Sequence, residues 1–485
     1  MTKATTPPTE EPTTSPGTDA GDDPHPAVRA ARQAAPDWAR LSFKDRRDLL
    51  LRWKRLMVSR ADELIDVISS DTGKPHADAL LEVSLSAEHV HWAAKNAQRV
   101  LAPRRVGSGL LGIDQVATVG YEPLGVVGVI GPWNYPLFTP MGSICYALAA
   151  GNAVVFKPSE LTPGVGVWLA DTFATATGHG DVLRTVTGGG DVGAALCAAG
   201  VDKVAFTGSA GTARKVMATC AETLTPIVAE CGGKDAMIVD SGADLTRAAS
   251  AAVFGAMGNA GQTCVGVERV YVVEELHAAF VQKVTDLAAG LSPGNTPEAD
   301  YGPMTLPSQA ETVREHIADA VTRGGTAVLG GVDSVAGTMV GPVVLTDVPE
   351  DALAVTDETF GPTIVINRVA DAEEALRRAN ASGYGLGGSV FSGSRTRAMG
   401  LARRMRAGAV SIGAVVAFAA IPALPFGGIG LSGFGRIHGA DGLREFSRAK
   451  SITRRRFTLP IDVTSFSRTR KDIALTRSLL KRRHT

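Results

Sequence analysis

The sequence predicts an α/β protein whose first domain is a doubly wound parallel sheet, followed by a second α/β domain. Three observations predict it. Short β-branched runs from residue 125 onward alternate with helical stretches across short connections, the pattern of parallel strands with crossover helices. The loops 131–136, 157–160 and 207–209 follow such runs and carry the Gly, Pro, Asn and Ser of tight turns. They lie at strand carboxyl ends, where doubly wound sheets bind ligands, and should face one crevice. Past Gly232-Gly233 the alternation starts again.

Residues 1–26 are Thr, Pro, Asp and Glu with little to bury, which predicts a disordered acidic tail. From Pro26 the periodicity is helical through Ala31, Ala35 and Trp38, then Leu50, Trp53 and Met57, with a further helix over 80–100. Residues 116–121 and 125–130 read as strands, and the second enters Gly131-Pro132-Trp133-Asn134-Tyr135-Pro136. A helix to Ala150 stops at Gly151-Asn152, a left-handed terminator. Strand 153–156 leads to Lys157-Pro158-Ser159-Glu160 and a helix with Thr162 as cap and Pro163 in its first turn. Strands at 182–186, 203–206 and 226–229 alternate with helices at 192–199 and 211–222.

In the second domain, strand 236–239, helix 245–257, the Cys264 loop, strand 269–273 and helix 276–289 follow in turn. Helices near 371–381 and 394–406 each precede a strand, at 388–391 and 409–412. The glycine-rich segment Pro425 to Gly433 reads as a fixed turn. Residues 451–485 hold ten Lys and Arg against two Asp, with Ile473, Leu475, Leu479 and Leu480 giving a modest amphipathic helix. A solvated or oligomer-packing tail is the first reading, and contact with a membrane surface or a polyanion the second.

Lys plus Arg balance Asp plus Glu at 49 each, so nothing points to nucleic acid as a partner. Five cysteines without a C-x-x-C pair indicate a reducing compartment and no disulfide frame or metal site. Neither a secretory signal nor an apolar run of membrane-spanning length is present, so the expected location is cytoplasmic.

Gly261-Gln262-Thr263-Cys264 ends an apolar, glycine-punctuated segment, and the thiol is a candidate nucleophile. By itself it would read as core filling, since free cysteine is among the most buried residue types. Its company changes that reading. Acyl transfer to a thiol needs oxyanion donors and a base to release the acyl group. Asn134, in a Pro-flanked loop, offers a side-chain amide, and Glu230, ending a strand before Cys231-Gly232-Gly233-Lys234, offers a carboxylate. Singly, Asn134 reads as a turn residue, Glu230 as a strand end, and Lys157 with Glu160 as a surface pair.

Taken together, seven segments resemble the aldehyde dehydrogenase superfamily in order and spacing. They are Trp133-Asn134-Tyr135-Pro136, Lys157-Pro158-Ser159-Glu160, Phe206-Thr207-Gly208-Ser209, Glu230-Cys231-Gly232-Gly233-Lys234, Gly261-Gln262-Thr263-Cys264, Glu358-Thr359-Phe360-Gly361-Pro362 and Pro425-Phe426-Gly427-Gly428. The resemblance spans roughly residues 27–456. It implies that Cys264 attacks an aldehyde, that the hydride passes to a nicotinamide, and that Glu230 activates water on the resulting thioester. It implies Asn134 for the oxyanion, Lys157 and Glu160 for the adenosine ribose, and Gly208 and Ser209 for the pyrophosphate. Glu358 matches the ligand of the nicotinamide ribose, with Phe360 packed nearby, and Trp133 falls on the cofactor side. The implied domains are an NAD(P)-binding domain (27–104 and 124–231), a catalytic domain (232–430), an oligomerisation arm (105–123 and 445–456) and a basic tail (457–485). A homodimer or homotetramer is expected.

Two positions depart from the family pattern. Cys231 stands where many members have leucine, and is read as a small core residue, with an off-pathway disulfide to Cys264 as the alternative. Ala213 replaces a frequent glycine. Glu160 would accept a bond from a ribose 2′-hydroxyl and repel a 2′-phosphate, which favours NAD over NADP. Relatives that pass the acyl group to coenzyme A generally lack the glutamate at position 230, so water is the expected acceptor. The wholly apolar segment Ala414 to Pro422 resembles the loop at the substrate mouth and leans toward an apolar aliphatic or aromatic aldehyde. Succinate semialdehyde, and a catalytically quiet binding protein, are the alternatives.

Overall fold

The structure, a computed structural model, describes residues 21–109, 112–459 and 465–484. Its first helix, Pro24–Arg40, begins earlier than the composition suggested, so the expected disordered tail does not reach residue 26. Asp23 caps it by accepting from the His25 N–H, and Pro24 supplies the preset φ of a first helical turn. Most of the expected tail, residues 1–20, lies outside the described residues. Trp38 and Trp53 (the latter on helix Phe43–Ser59) are buried, and both pack edge-on against Phe173. Their indole N–H groups donate to the Leu148 carbonyl at 3.0 Å and to Thr172 Oγ1 at 3.2 Å. Burying one such ring contributes roughly 1.5–3 kcal/mol, and the paired N–H removes the penalty.

The larger of two compact units comprises residues up to Val100 together with Pro123–Ser447 and holds two parallel sheets. In the six-stranded sheet the order is Gly433–Phe434, Ile227–Glu230, Lys203–Thr207, Val126–Ile130, Ala153–Lys157, Leu183–Thr185, parallel except for the first strand. The order reverses between Val126–Ile130 and Lys203–Thr207, which is the switch point of a doubly wound sheet. Ile130 is level with Lys157 and Phe206, and Thr207 with Glu230, so the three predicted loops do leave from one end of adjacent strands.

Gly151 is left-handed (φ +101), as its place after the helix Phe138–Ala150 required. Thr162 sits at the cap of Pro163–Thr177 but makes no capping bond, a departure from the expected role. A second return to this sheet was not foreseen. The short strand Gly433–Phe434 pairs antiparallel with Ile227–Glu230, and the helix Gly439–Glu445 follows it.

The seven-stranded sheet runs Thr326–Leu329, Val343–Thr346, Thr363–Val369, Val267–Val273, Asp235–Val239, Gly387–Phe391, Ala409–Ile412, with only the first strand antiparallel. Four strands match the expected ones. Val343–Thr346, Thr363–Val369 and the helix Pro307–Thr322 were not anticipated, although Val343-Val344-Leu345 and Ile364-Val365-Ile366 are apolar runs of the kind that fill a two-sided parallel sheet.

The second unit holds residues from Leu101 to Glu122 and from Arg448 onward. Its sheet has Gln115–Pro123 between Arg104–Val106 and Ser447–Arg455. Ser447–Arg455 is almost wholly exposed. Glu122 pairs with Lys450 at 2.8 Å. The helix Arg470–His484 follows, with no residue buried. No described helix is long and apolar enough to cross a membrane.

Candidate active site

The site lies where the carboxyl ends of the six-stranded sheet meet the amino ends of the seven-stranded one. Glu230 ends a strand of the first, and Asp235 begins a strand of the second, so 231–234 is the bridge between them. Cys264 enters from the loop before Val267–Val273. Helix Leu245–Met257 ends in a turn in which Asn259 and Ala260 are both left-handed (φ +56), as is Gly261. Only glycine fits at 261, because a Cβ there would stand 2.0 Å from the Gly361 oxygen. The turn leaves Cys264 half-buried.

Cys264 packs against a buried cluster of Val265, Leu386 and Phe418, which the partly buried Val416, Ala419 and Phe426 also cover. Burial, and then the nearby carboxylates Glu358, Asp235 and Glu230, push its thiol up, while the Val265 N–H facing it acts the other way. The loop follows a helix C-terminus rather than opening a helix.

Asn134 is buried and donates from Nδ2 to the Gln262 carbonyl at 2.8 Å, two residues from Cys264. Glu230 is buried and neither of its oxygens has a protein hydrogen-bond partner. Burial raises its carboxyl well above the usual range; Arg436 opposes the rise and Glu445 adds to it. A carboxyl held in this way can take up a proton once water or substrate reaches it.

Glu358 accepts from the Gly233 N–H at 2.9 Å, and burial pushes it up to about 8, with Glu268 adding to the rise. A Cβ on Gly232 would lie 2.0 Å from Glu358 Oε2, which explains why that bridge is glycine. Phe360 (φ +51) meets Trp133 edge-on at 5.5 Å. On the neighbouring strand end, buried Lys157 donates to the Pro158 carbonyl at 2.9 Å and lies 3.8 Å from Glu160, whose side chain is 58% exposed. Burial lowers the Lys157 amine, and Glu160 counters it. Ser209 caps helix Ala210–Glu222, and Gly208 donates its N–H to the Glu230 carbonyl at 3.1 Å.

The arrangement therefore joins Trp133 with Phe360, Glu358 with the Gly232-Gly233 bridge, and Asn134 with the Cys264 loop, while Lys157 and Glu160 stand at the adjacent strand end. All five cysteines are free thiols, and burial pushes Cys231 up to about 11. Ala213 is buried in a regular helix whose N–H reaches the Ser209 carbonyl at 2.9 Å.

Other residues shape the site without having been foreseen. Lys234 is fully buried, pairs with Glu268 and donates to Thr359 Oγ1 at 3.0 Å. Glu268 in turn accepts from the N–H groups of Thr359 and Phe360. Ser432, in the predicted glycine-rich turn, donates to the Gly232 carbonyl at 2.7 Å and accepts from Gly385. The one available sign was the lysine in Cys231-Gly232-Gly233-Lys234; nothing local marks Glu268 or Ser432.

A nicotinamide dinucleotide fits these residues. A capped helix N-terminus opens at the switch point for a pyrophosphate, and Lys157 keeps donor capacity for hydroxyls. Strand-end loops of this kind, with a half-buried thiol beside the bridge between the sheets, suit a nicotinamide-dependent dehydrogenase. Comparison gives the family: the aldehyde dehydrogenase family model matches residues 2–452, and the chain belongs to that family.

A 4,4'-diapolycopene aldehyde oxidase of a Methylomonas species is 38% identical over 432 residues, 89% of this chain and 81% of that protein. A Mycobacterium ulcerans protein provisionally named succinate-semialdehyde dehydrogenase (NADP+) 2 is 36% identical over 444 residues, 90% of this chain and 86% of its own. The crystal structure of an NAD-dependent aldehyde dehydrogenase from Sinorhizobium meliloti superposes with a TM-score of 0.86 at 34% identity, covering 90% of this chain and 88% of that one. The fold expected from the sequence is thus that of the family, and the chain is an NAD(P)-dependent aldehyde dehydrogenase.

Proposed function

We propose that the chain oxidises an apolar aliphatic or aromatic aldehyde to its carboxylic acid, with Cys264 as nucleophile and water as the final acceptor. The observation that carries the reading is the packing of Cys264 against the apolar cluster of Val265, Leu386 and Phe418, which gives an incoming carbonyl an apolar surround. Cys264 gives its thiol proton to water as its sulfur adds to the carbonyl carbon, and the resulting thiohemiacetal oxygen carries the negative charge. The Asn134 amide faces the Cys264 loop and donates to that oxygen. Lys157, Glu160, Gly208, Ser209 and Glu358, with Trp133 and Phe360, would hold the nicotinamide dinucleotide, which when bound would supply the hydride acceptor. Loss of hydride leaves a thioester on Cys264. Glu230 takes a proton from water as the water oxygen attacks the thioester carbon, and the Cys264–carbon bond breaks to release the acid. Glu230 is suited to this by burial, which makes its carboxylate more basic than one in water.

A second reading, succinate semialdehyde with NADP, draws support from the Mycobacterium ulcerans relative's name. Exposed Glu160 favours NAD instead, since a carboxylate repels a 2′-phosphate. The exposed strand Ser447–Arg455 carries unpaired backbone groups of the kind that pair with a second chain, so the protein is read as a homo-oligomer. The test is formation of reduced nicotinamide from hexanal, benzaldehyde and succinate semialdehyde, with NAD and NADP in parallel. Turnover of the first two, lost in Cys264→Ala, is expected; turnover of the semialdehyde alone would replace the substrate reading by the second one.

A further inference from the structure

We propose that Lys74 and Glu82 are positioning residues that hold the Asn134 amide over the Cys264 loop. This rests on the reading of Asn134 as oxyanion donor. The two side chains are 3% and 0% exposed and form an ion pair at 2.7 Å. A buried pair is a poor source of stability, because desolvating both ions offsets their attraction, and apolar replacements are often neutral or stabilising. What this pair does have is a set of contacts concentrated on one loop.

Lys74 Nζ donates to the Asn134 carbonyl at 2.7 Å and stands 4.5 Å from the Tyr135 ring centre. Glu82 turns its other oxygen to the N–H groups of Leu137 and Phe138, 3.0 Å each, where helix Phe138–Ala150 begins. One ion pair therefore pins both ends of the segment 134–138. From the opposite side, Asn259 Nδ2 donates to the same Asn134 carbonyl at 3.0 Å, and the Tyr135 hydroxyl meets Thr263 Oγ1 at 3.0 Å. Gln262 closes the ring: its Oε1 accepts from Thr305 N at 2.8 Å, and Thr305 Oγ1 donates to the Thr72 carbonyl at 3.0 Å, two residues from Lys74.

With its backbone held at the carbonyl, Asn134 has little freedom except at its side chain. One of the two amide N–H donors is committed to the Gln262 carbonyl. The second remains for the oxygen of a substrate bound to Cys264. A small displacement of such a donor is costly in rate, because it acts only when aimed at the developing charge. The pair thus makes the aim of Asn134 depend on a charge interaction 60 residues away in sequence, for Lys74, and on a carboxylate at a helix start.

The test is a cycle of Lys74→Met, Glu82→Gln and Asn134→Ala in the full chain, each alone and each of the first two combined with the third. Kinetics are measured with a turned-over aldehyde and NAD. Removing an oxyanion donor costs about 10²–10³-fold in kcat, so Asn134→Ala is expected to fall in that range and a mis-aimed donor to lose roughly 10-fold or more. KM for NAD and NAD-dependent thermal stabilisation should stay at wild-type levels, which also shows that the variants fold. The decisive comparison is that Lys74→Met should cost nothing further in the Asn134→Ala background. An equal loss in both backgrounds, or wild-type kcat in Lys74→Met and Glu82→Gln while Asn134→Ala is impaired, would overturn the positioning role alone. Wild-type kcat in Asn134→Ala would remove the oxyanion reading and this inference with it.

Discussion

The two parallel sheets meet at the site with opposite ends. The six-stranded sheet offers the carboxyl ends of its strands. The loops leaving them run into helix N-termini at Phe138, Pro163 and Ala210, where the first-turn backbone N–H groups have no partner within the helix and the helix dipole is positive. The seven-stranded sheet offers amino ends. The segments before Asp235, Val267 and Thr363 bring Lys234, Cys264 and Glu358 to the edge of a sheet packed on both faces. The groups proposed for cofactor recognition on the first side include solvent-facing ones, Glu160 and Ser209. On the second side burial moves the protonation of Cys264 and Glu358, and Glu230 at the bridge shares that environment. The difference teaches that an anionic cofactor and a proton-transferring centre need opposite things from a parallel sheet: open positive helix ends for one, desolvation for the other.

The largest effect that would sharpen this contrast is at the bridge. Glu230→Gln should keep the first turnover, seen as a burst of reduced nicotinamide near one per active site, and slow steady turnover by about 10²–10⁴-fold as the thioester waits for a base. Steady turnover at the wild-type rate would mean that burial of Glu230 serves something other than water activation.

A smaller effect tests the buried side through stability. Glu358 has its folded value raised from the ordinary 4.5 to about 8. Between those pH values the folded chain holds a proton that the unfolded chain has released, so stability falls as pH rises through the window. Glu230 and Asp235 are raised as well, so they add to the same slope. Glu358→Gln should therefore lose less Tm than wild type between pH 5 and pH 8, without cofactor, by a few degrees in a thermal scan. Parallel curves for the two proteins would show that Glu358 is solvated.

The smallest effect belongs on the exposed side. Glu160→Ala should raise KM for NAD and improve the NADP to NAD ratio in kcat/KM by roughly 10-fold, since it removes a repulsive carboxylate in high dielectric. An unchanged ratio would place the 2′ position away from Glu160.

Much of this was legible before the fold. Gly208, Gly232 and Gly261 fall in segments that the sequence marks, and the structure supplies what they approach: a Cβ at Gly208 would meet the Phe206 ring at 2.7 Å. The three ligand loops were legible because a parallel strand, a turn and a helix start are each local patterns. Lys74, Glu82, Glu268 and Ser432 were not, because their partners Asn134, Leu137, Lys234 and Gly232 lie 34 to 200 residues away in sequence. The return of Gly433–Phe434 to the first sheet was hidden for a similar reason: a two-residue strand has no periodicity to read.

The sequence by itself determined the α/β class, the alternation of strands and helices along the chain, and the residue types in the loops at the strand ends, because those follow from local periodicity and from side-chain chemistry. Only the tertiary structure decided that the seven-stranded sheet turns its amino ends to the site and how far Glu230, Glu358 and Cys264 are removed from water. It also decided which buried charges brace the loops that carry them. Burial and electrostatic environment are properties of the packed whole, and no stretch of chain holds them alone.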